Sequence, residues 1–186
     1  MEYIEIIGAV IGLLYLYLEY KVSIYLWPVG VVMPLIYIYI FYQSGFYADM
    51  AFNGYYLFAS IYGWIKWYKS HKEESEPVVV YTPRKYIFPL ISIFFLLFLS
   101  ISWILKQYAD SIVPYGDGFT TSLSIIAIWM LAHKFIEQWG LWMIVNAVSC
   151  VLYIWKGLYP TAFLFAIYSI VPVFGYLKWK KLILAK

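Results

Sequence analysis

Apolar residues run along this chain almost without interruption, and the runs are long. Stretches at 3–20, 22–43, 46–67, 86–105, 118–134, 139–156 and 158–178 each have about the length a helix needs to cross roughly 30 Å of hydrocarbon. Seven transmembrane helices are predicted. The polar breaks between them are short except for YKSHKEESEPVVVYTPRK at 68–85 and KQYADSIVPYGD at 106–117. Both carry charge and proline and are too polar to stay in lipid. The expected fold class is an all-α integral membrane protein.

The pattern also repeats. Displaced by 112 positions without a gap, Trp27, Gly45, Tyr47, Tyr56, Gly63, Lys66 and Trp67 fall on Trp139, Gly157, Tyr159, Tyr168, Gly175, Lys178 and Trp179. Such self-similarity marks a tandem duplication, and in a membrane chain it points to a transporter with its site between the halves. The expected organisation is a first three-helix repeat at 1–68, a loop, linking transmembrane helix and second loop at 69–117, and a second three-helix repeat at 118–186. A single linking helix makes both triplets enter the membrane from the same side. The repeats are therefore parallel, in a 3+1+3 arrangement.

Composition agrees. With 65% of 186 residues apolar and 12% charged, and a mean hydropathy of +0.77, the chain lies outside the range of soluble domains. The 23% aromatic content exceeds what two interfacial belts require and leaves rings for the interior. A lone Cys150 forms no internal disulfide, and the start MEYIEIIG lacks the basic region of a signal peptide. Lys21, Lys66, Lys69, Lys72, Arg84, Lys85, Lys134, Lys178, Lys180, Lys181 and Lys186 gather on one side of the expected topology, against only Lys106 and Lys156 on the other. The positive-inside rule then puts the C-terminus in the cytoplasm and the N-terminus outside, in a multi-pass protein. No basic-aromatic stripe suggests nucleic acid.

Candidate chemistry begins with polar residues that hydrocarbon would not tolerate. On the third helix Asp49, Asn53, Tyr56 and Ser60 share a face, and on the sixth Trp142, Asn146, Ser149 and Tyr153 do the same. Two readings stay open for these faces: a hydrogen-bonded seam between helices, or contact with a substrate. Asn146 falls near mid-membrane, and its repeat counterpart is Pro34 in a helix that also carries Pro28, where a lost backbone bond opens a hinge or cavity. On the fifth helix Thr121, Ser122 and Ser124 are expected to bond their own backbone, while Trp129 falls nearer the interior and suggests a stacking wall. His71, His133, Glu19 and Glu137 lie in the polar loop or near helix ends, where lysines can pair with the acids. The chain has no catalytic triad, metal-spaced cluster or phosphate loop, so neither an enzyme nor a cofactor is expected. No charge pair at mid-membrane suggests coupling to protons.

The runs LYPTAFLF, GYLKW, GFYADMAFNGYYLFASIYGWIKW and TTSLSIIAIWMLAHKFIEQWGLWMIVN resemble the Pnu vitamin transporters over nearly the whole chain. The resemblance implies a seven-helix 3+1+3 bundle similar to the sugar-transporting SWEET fold. It also implies a facilitator of the bacterial inner membrane whose unphosphorylated vitamin is trapped by a cytoplasmic kinase. Nicotinamide riboside members tend to carry Gln at the positions matching Asn53 and Ile128, and an Asn at 53 is similar to thiamine-type branches. Thiamine is the first expectation, held by a cage of Tyr56, Trp129, Trp142 and Tyr168 through cation–π and stacking contacts, with Asn53 and Asn146 bonding its pyrimidine and Tyr153 a further expected contact. Nicotinamide riboside is the alternative, and a membrane enzyme or scaffold a remote third. The expected partners are the vitamin and membrane lipid, without nucleic acid, and homo-oligomerisation stays open.

Overall fold

The computed structural model describes residues 2–44, 47–73, 79–108 and 111–185, and among these described residues seven α helices follow one another with no strand between them. Within these helices the side chains of 2–10, 40, 41, 44, 47–49, 51, 71–73 and 160 lie outside the described set. The elements are α1 (Glu2–Tyr20), α2 (Leu26–Ser44), α3 (Tyr47–Glu73), α4 (Arg84–Tyr108), α5 (Pro114–Ala132), α6 (Gln138–Trp155) and α7 (Tyr159–Leu184). Among the described residues three helices are long and apolar enough to cross a membrane: Arg84–Tyr108, Gln138–Trp155 and Thr161–Leu184, with mean hydropathies of 2.4, 1.3 and 1.5. The chain divides into two units, Met1–Val78 and Val79–Lys186.

In the first unit α1 packs on α2 and α2 on α3. The chain leaves α1 through a tight turn rather than running straight into the next helix as the apolar pattern at 22 suggests. Val22 takes a left-handed backbone, φ 54°, with its N–H on Glu19 O at 3.0 Å and the Ser23 N–H on Leu18 O at 2.9 Å. A β-branched residue there is strained, and the turn is held because Val22, Leu26 and Trp27 are all buried. Trp27 is fully enclosed; its ring lies on Gly63 of α3 and meets Trp67 edge-on, 5.5 Å between centroids at 85°. Gly63 has no Cβ, and that absence lets the indole settle against the α3 backbone.

In the second unit α4 packs on α5, α5 on α6 and α6 on α7. Here the same local features return 112 positions later. Lys134 is left-handed at φ 55°, with the Lys134 N–H on Leu131 O at 2.9 Å and the Phe135 N–H on Met130 O at 3.0 Å. Trp139 lies on Gly175 and meets Trp179 edge-on, 5.5 Å apart at 88°. The starts of α5, α6 and α7 follow those of α1, α2 and α3 by the same displacement.

The segment before α4 is tied to the α5–α6 connection. The Val80 N–H reaches Lys134 O at 3.1 Å, and the Ile136 N–H reaches Val80 O at 3.0 Å. Beside this bridge Glu137 Oε2 accepts from the Thr82 N–H at 2.9 Å and the Thr82 hydroxyl at 2.6 Å. The observed partner of Glu137 is thus a threonine and its backbone, where the sequence suggested a lysine. A carboxylate satisfied this way needs no counter-charge close by.

Candidate functional site

The polar face expected on the sixth helix meets α7. Asn146 Nδ2 donates to the backbone carbonyl of Tyr168 at 2.9 Å. This bond has a cause in the sequence. Four residues beyond Tyr168 stands Pro172, inside α7, which has no N–H to give. The Tyr168 carbonyl therefore lacks its helical donor, and an orphaned carbonyl at membrane depth costs several kcal/mol unless a neighbour satisfies it. Asn146 is that neighbour. Its amide serves a helix-to-helix seam, the first of the two readings left open by the sequence, and its Oδ1 makes no bond among the described residues.

Along the same face Ser149 is buried, and Tyr153 stacks on Phe165 of α7 at 5.0 Å and 28°. Phe165 in turn meets Tyr168 edge-on at 6.1 Å. Two of the expected substrate contacts, Tyr153 and Tyr168, are therefore joined through Phe165, which the sequence reading did not single out. Its position three before Tyr168 on an apolar helix carried no polar signal. One turn before Asn146, the indole Nε1 of Trp142 is buried without a hydrogen-bond partner among the described residues. The end of the seam is closed by charge. Lys156 Nζ reaches both oxygens of Asp117, at 2.8 and 3.0 Å, and lies 5.7 Å from the centre of the Tyr153 ring. Asp117 Oδ2 also accepts from Ser111 at 2.7 Å.

Trp129 belongs to a different cluster. It stands in the last turn of α5, which ends at Ala132. There its ring lies 3.8 Å from that of His133, and Tyr86 and Phe135 pack edge-on at 5.6 and 6.0 Å. His133 Nδ1 donates to Trp129 O at 2.8 Å, which gives the imidazole a capping role. On the same helix Ser122 and Ser124 bond back to Gly118 O and Thr120 O at 2.7 and 2.8 Å, as expected.

In the first unit Asn53 and Tyr56 are half-buried on α3, with Tyr56 packed edge-on to Tyr55 at 5.7 Å. Ser60, on their face, donates to Gly30 O at 3.2 Å. The side chain of Asp49 lies outside the described residues. Among the described residues no group of His, Cys, Asp or Glu could hold a metal ion.

A family model described as nicotinamide mononucleotide transporter matches residues 2–181. The chain belongs to that family. It is 22% identical over 206 residues to the nicotinamide riboside transporter PnuC of Escherichia coli K12, covering 96% of this chain and 85% of the relative. A riboflavin/roseoflavin transporter, RibM of Streptomyces davaonensis, is 22% identical over 197 residues, covering 94% and 83%. The fold is that of a solved structure described as the vitamin B3 transporter PnuC: TM-score 0.70 and 23% identity, over 94% of this chain and 79% of that one. Membership, together with the apolar helices, makes this a multi-pass membrane protein of a family of vitamin transporters. The relatives are transporters, in line with the absence of any catalytic set from the sequence.

Proposed function

We propose that the protein carries nicotinamide riboside across the bacterial inner membrane by facilitated diffusion, with a cytoplasmic kinase trapping the vitamin once inside. The observation that carries this reading is the α6–α7 face: an oriented amide at Asn146, an unpartnered donor at Trp142 and the Tyr153–Phe165–Tyr168 aromatic row, all within a span that lipid would otherwise keep apolar. A flat cationic ring suits stacked aromatics. The substrate name follows the Escherichia coli relative, whose likeness runs through most of both chains. Asn53, Tyr56 and Trp129 remain proposed contacts. Thiamine is the second reading, favoured by Asn53 and Ile128 standing where nicotinamide riboside members tend to have Gln.

We read the chain as two parallel three-helix repeats at 1–68 and 118–186 joined through α4 in the segment 69–117, with the N-terminus outside and the C-terminus cytoplasmic. The recurrence of the left-handed turn and of the Trp–Gly–Trp contact 112 positions apart supports the duplication. The test is uptake of labelled nicotinamide riboside or thiamine into liposomes holding the purified protein. Riboside flux that outruns thiamine flux, and that falls with Trp142→Ala but not with Trp103→Ala on α4, supports the reading. Thiamine flux alone would replace the substrate, and flux of neither would overturn the transporter.

A further inference from the structure

Away from the α6–α7 face, α4 and α5 leave a groove between them. At one end the two helices are in close contact, because Gly118 has no Cβ and Ser102 occupies the space one would fill. Toward the start of α4 the facing side chains do not close the gap, and a volume of about 330 Å³ remains. Leu123, Ile126 and Met130, spaced by three and four on one face of α5, line it and are buried. Ile87 and Ile91 line it from α4 and are 47% and 49% exposed. A buried floor with an exposed rim opens to whatever surrounds α4, and for a helix that spans a membrane that is lipid. The lining ends along α4 at Phe94. From Arg84, where α4 begins, to position 94 the helix rises about 15 Å, half of the roughly 30 Å of hydrocarbon in a bilayer. The groove is as long as one leaflet is deep.

Its polar end sets it apart from an ordinary lipid-facing surface. Thr82 and Glu137 line that end, and the two hydrogen bonds between them use only Oε2 of the carboxylate. Oε1 carries no bond among the described residues and is not a buried orphan. Two and three positions after Thr82 come Arg84 and Lys85, both exposed and neither in an ion pair among the described residues. Lys85 Nζ lies 5.1 Å from the centre of the Tyr86 ring. Two cations in the first turn of a helix oppose its dipole, and an anion beside them relieves that. The end of the groove therefore offers a charged acceptor next to two cations.

We propose that the α4–α5 groove binds a phospholipid, with an acyl chain along the groove, and that its polar end selects a headgroup carrying a primary ammonium as well as a phosphate, as in phosphatidylethanolamine. The ammonium donates to Glu137 Oε1, and the phosphate lies against Arg84 and Lys85. Phosphatidylcholine has the same charges but no N–H to give. Phosphatidylglycerol offers the carboxylate a neutral hydroxyl and no cation. The site is separate from the α6–α7 face and does not depend on which vitamin is carried.

The experiment is native mass spectrometry of the purified protein in detergent, with the ethanolamine, choline and glycerol lipids of identical acyl chains added in turn. The wild type should retain the ethanolamine lipid about tenfold more strongly than either of the others, the scale of one charge-assisted hydrogen bond. Glu137→Gln keeps an acceptor for Thr82 while removing the charge, and should bring the ethanolamine lipid down to the level of the choline lipid. Ile91→Trp fills the groove from its rim and should weaken all three, whereas Leu96→Trp, 65% exposed on the opposite side of α4, should weaken none. Equal retention of the three lipids by the wild type, or a preference that survives Glu137→Gln, would overturn the headgroup selection. Retention indifferent to Ile91→Trp would put the lipid elsewhere and overturn the groove. Lipid-free multimers that Ile91→Trp breaks into single chains would give the groove to a second copy of the protein and overturn the proposal as well. The wild-type comparison decides even where a variant does not yield folded protein.

Discussion

At the scale of single residues, two glycines under indole rings are tightly constrained. Trp27 lies on Gly63 and Trp139 on Gly175, and a Cβ at either glycine would run into a large, rigid ring already enclosed on its other sides. Gly63→Ala or Gly175→Ala should therefore lower stability by about 1–3 kcal/mol, as overpacking does. Gly54→Ala and Gly140→Ala, where a new Cβ would meet nothing within 4 Å, should be neutral or stabilising, since alanine favours helix over glycine. Thermal unfolding of the four variants in one detergent separates the pairs, and an equal loss at Gly54 would discredit the packing account. These residues were legible beforehand because Trp27, Gly63 and Trp67 recur as Trp139, Gly175 and Trp179 in the sequence. Phe165 was not, since an apolar ring in an apolar helix announces nothing about what it touches. The neighbours of Trp129, namely Tyr86, His133 and Phe135, were not legible either, because spacing along α5 does not name partners in α4 or in the turn after α5.

At the scale of helices, hydropathy located all seven but blurred their ends. It ran the second helix through Val22, where the chain makes a left-handed turn whose buried residues are as apolar as a helix. It also flagged Pro34 as a hinge without the compensating donor, because spacing along one helix does not name the neighbour that Ser60 will reach. That compensation makes a sharp prediction. Ser60→Ala should cost about 1–2 kcal/mol in the wild type by orphaning the Gly30 carbonyl, and much less in a Pro34→Ala background, where the backbone again bonds it. A double-mutant cycle read by thermal unfolding tests this, and additive losses would mean that the proline and the hydroxyl are unrelated. The tether ahead of α4 is open to a separate measurement. Glu137→Ala removes the acceptor of both Thr82 donors, so amide exchange at Val80, Thr82 and Ile136 should quicken while that of mid-α5 amides holds. Unchanged exchange would leave the carboxylate without an anchoring role.

At the scale of the whole molecule the open issue is what drives transport. At zero membrane potential each tenfold accumulation of substrate requires about 1.4 kcal/mol from some second gradient, and that energy has to enter through a group that binds an ion or proton in step with the vitamin. The described ionisable side chains do not offer one along the α6–α7 face. Asp117 and Lys156 neutralise each other at the ends of α5 and α6, Glu137 is committed to Thr82, and His133 to the Trp129 carbonyl. Polar groups deeper in the helices, such as Ser60, Ser122 and Asn146, are neutral at every physiological pH and bond backbone carbonyls. The facilitated diffusion proposed above makes a direct prediction. In liposomes held at zero membrane potential, internal nicotinamide riboside should rise to the external concentration and stop there, at the same plateau with or without an imposed pH or Na⁺ gradient. A plateau that climbs above the external concentration when only the ion gradient is changed would contradict facilitated diffusion. Asp49, in the first turn of α3 and outside the described side chains, would then be the acid to neutralise first, with Asp49→Asn expected to return the plateau to unity if it carries the coupled ion.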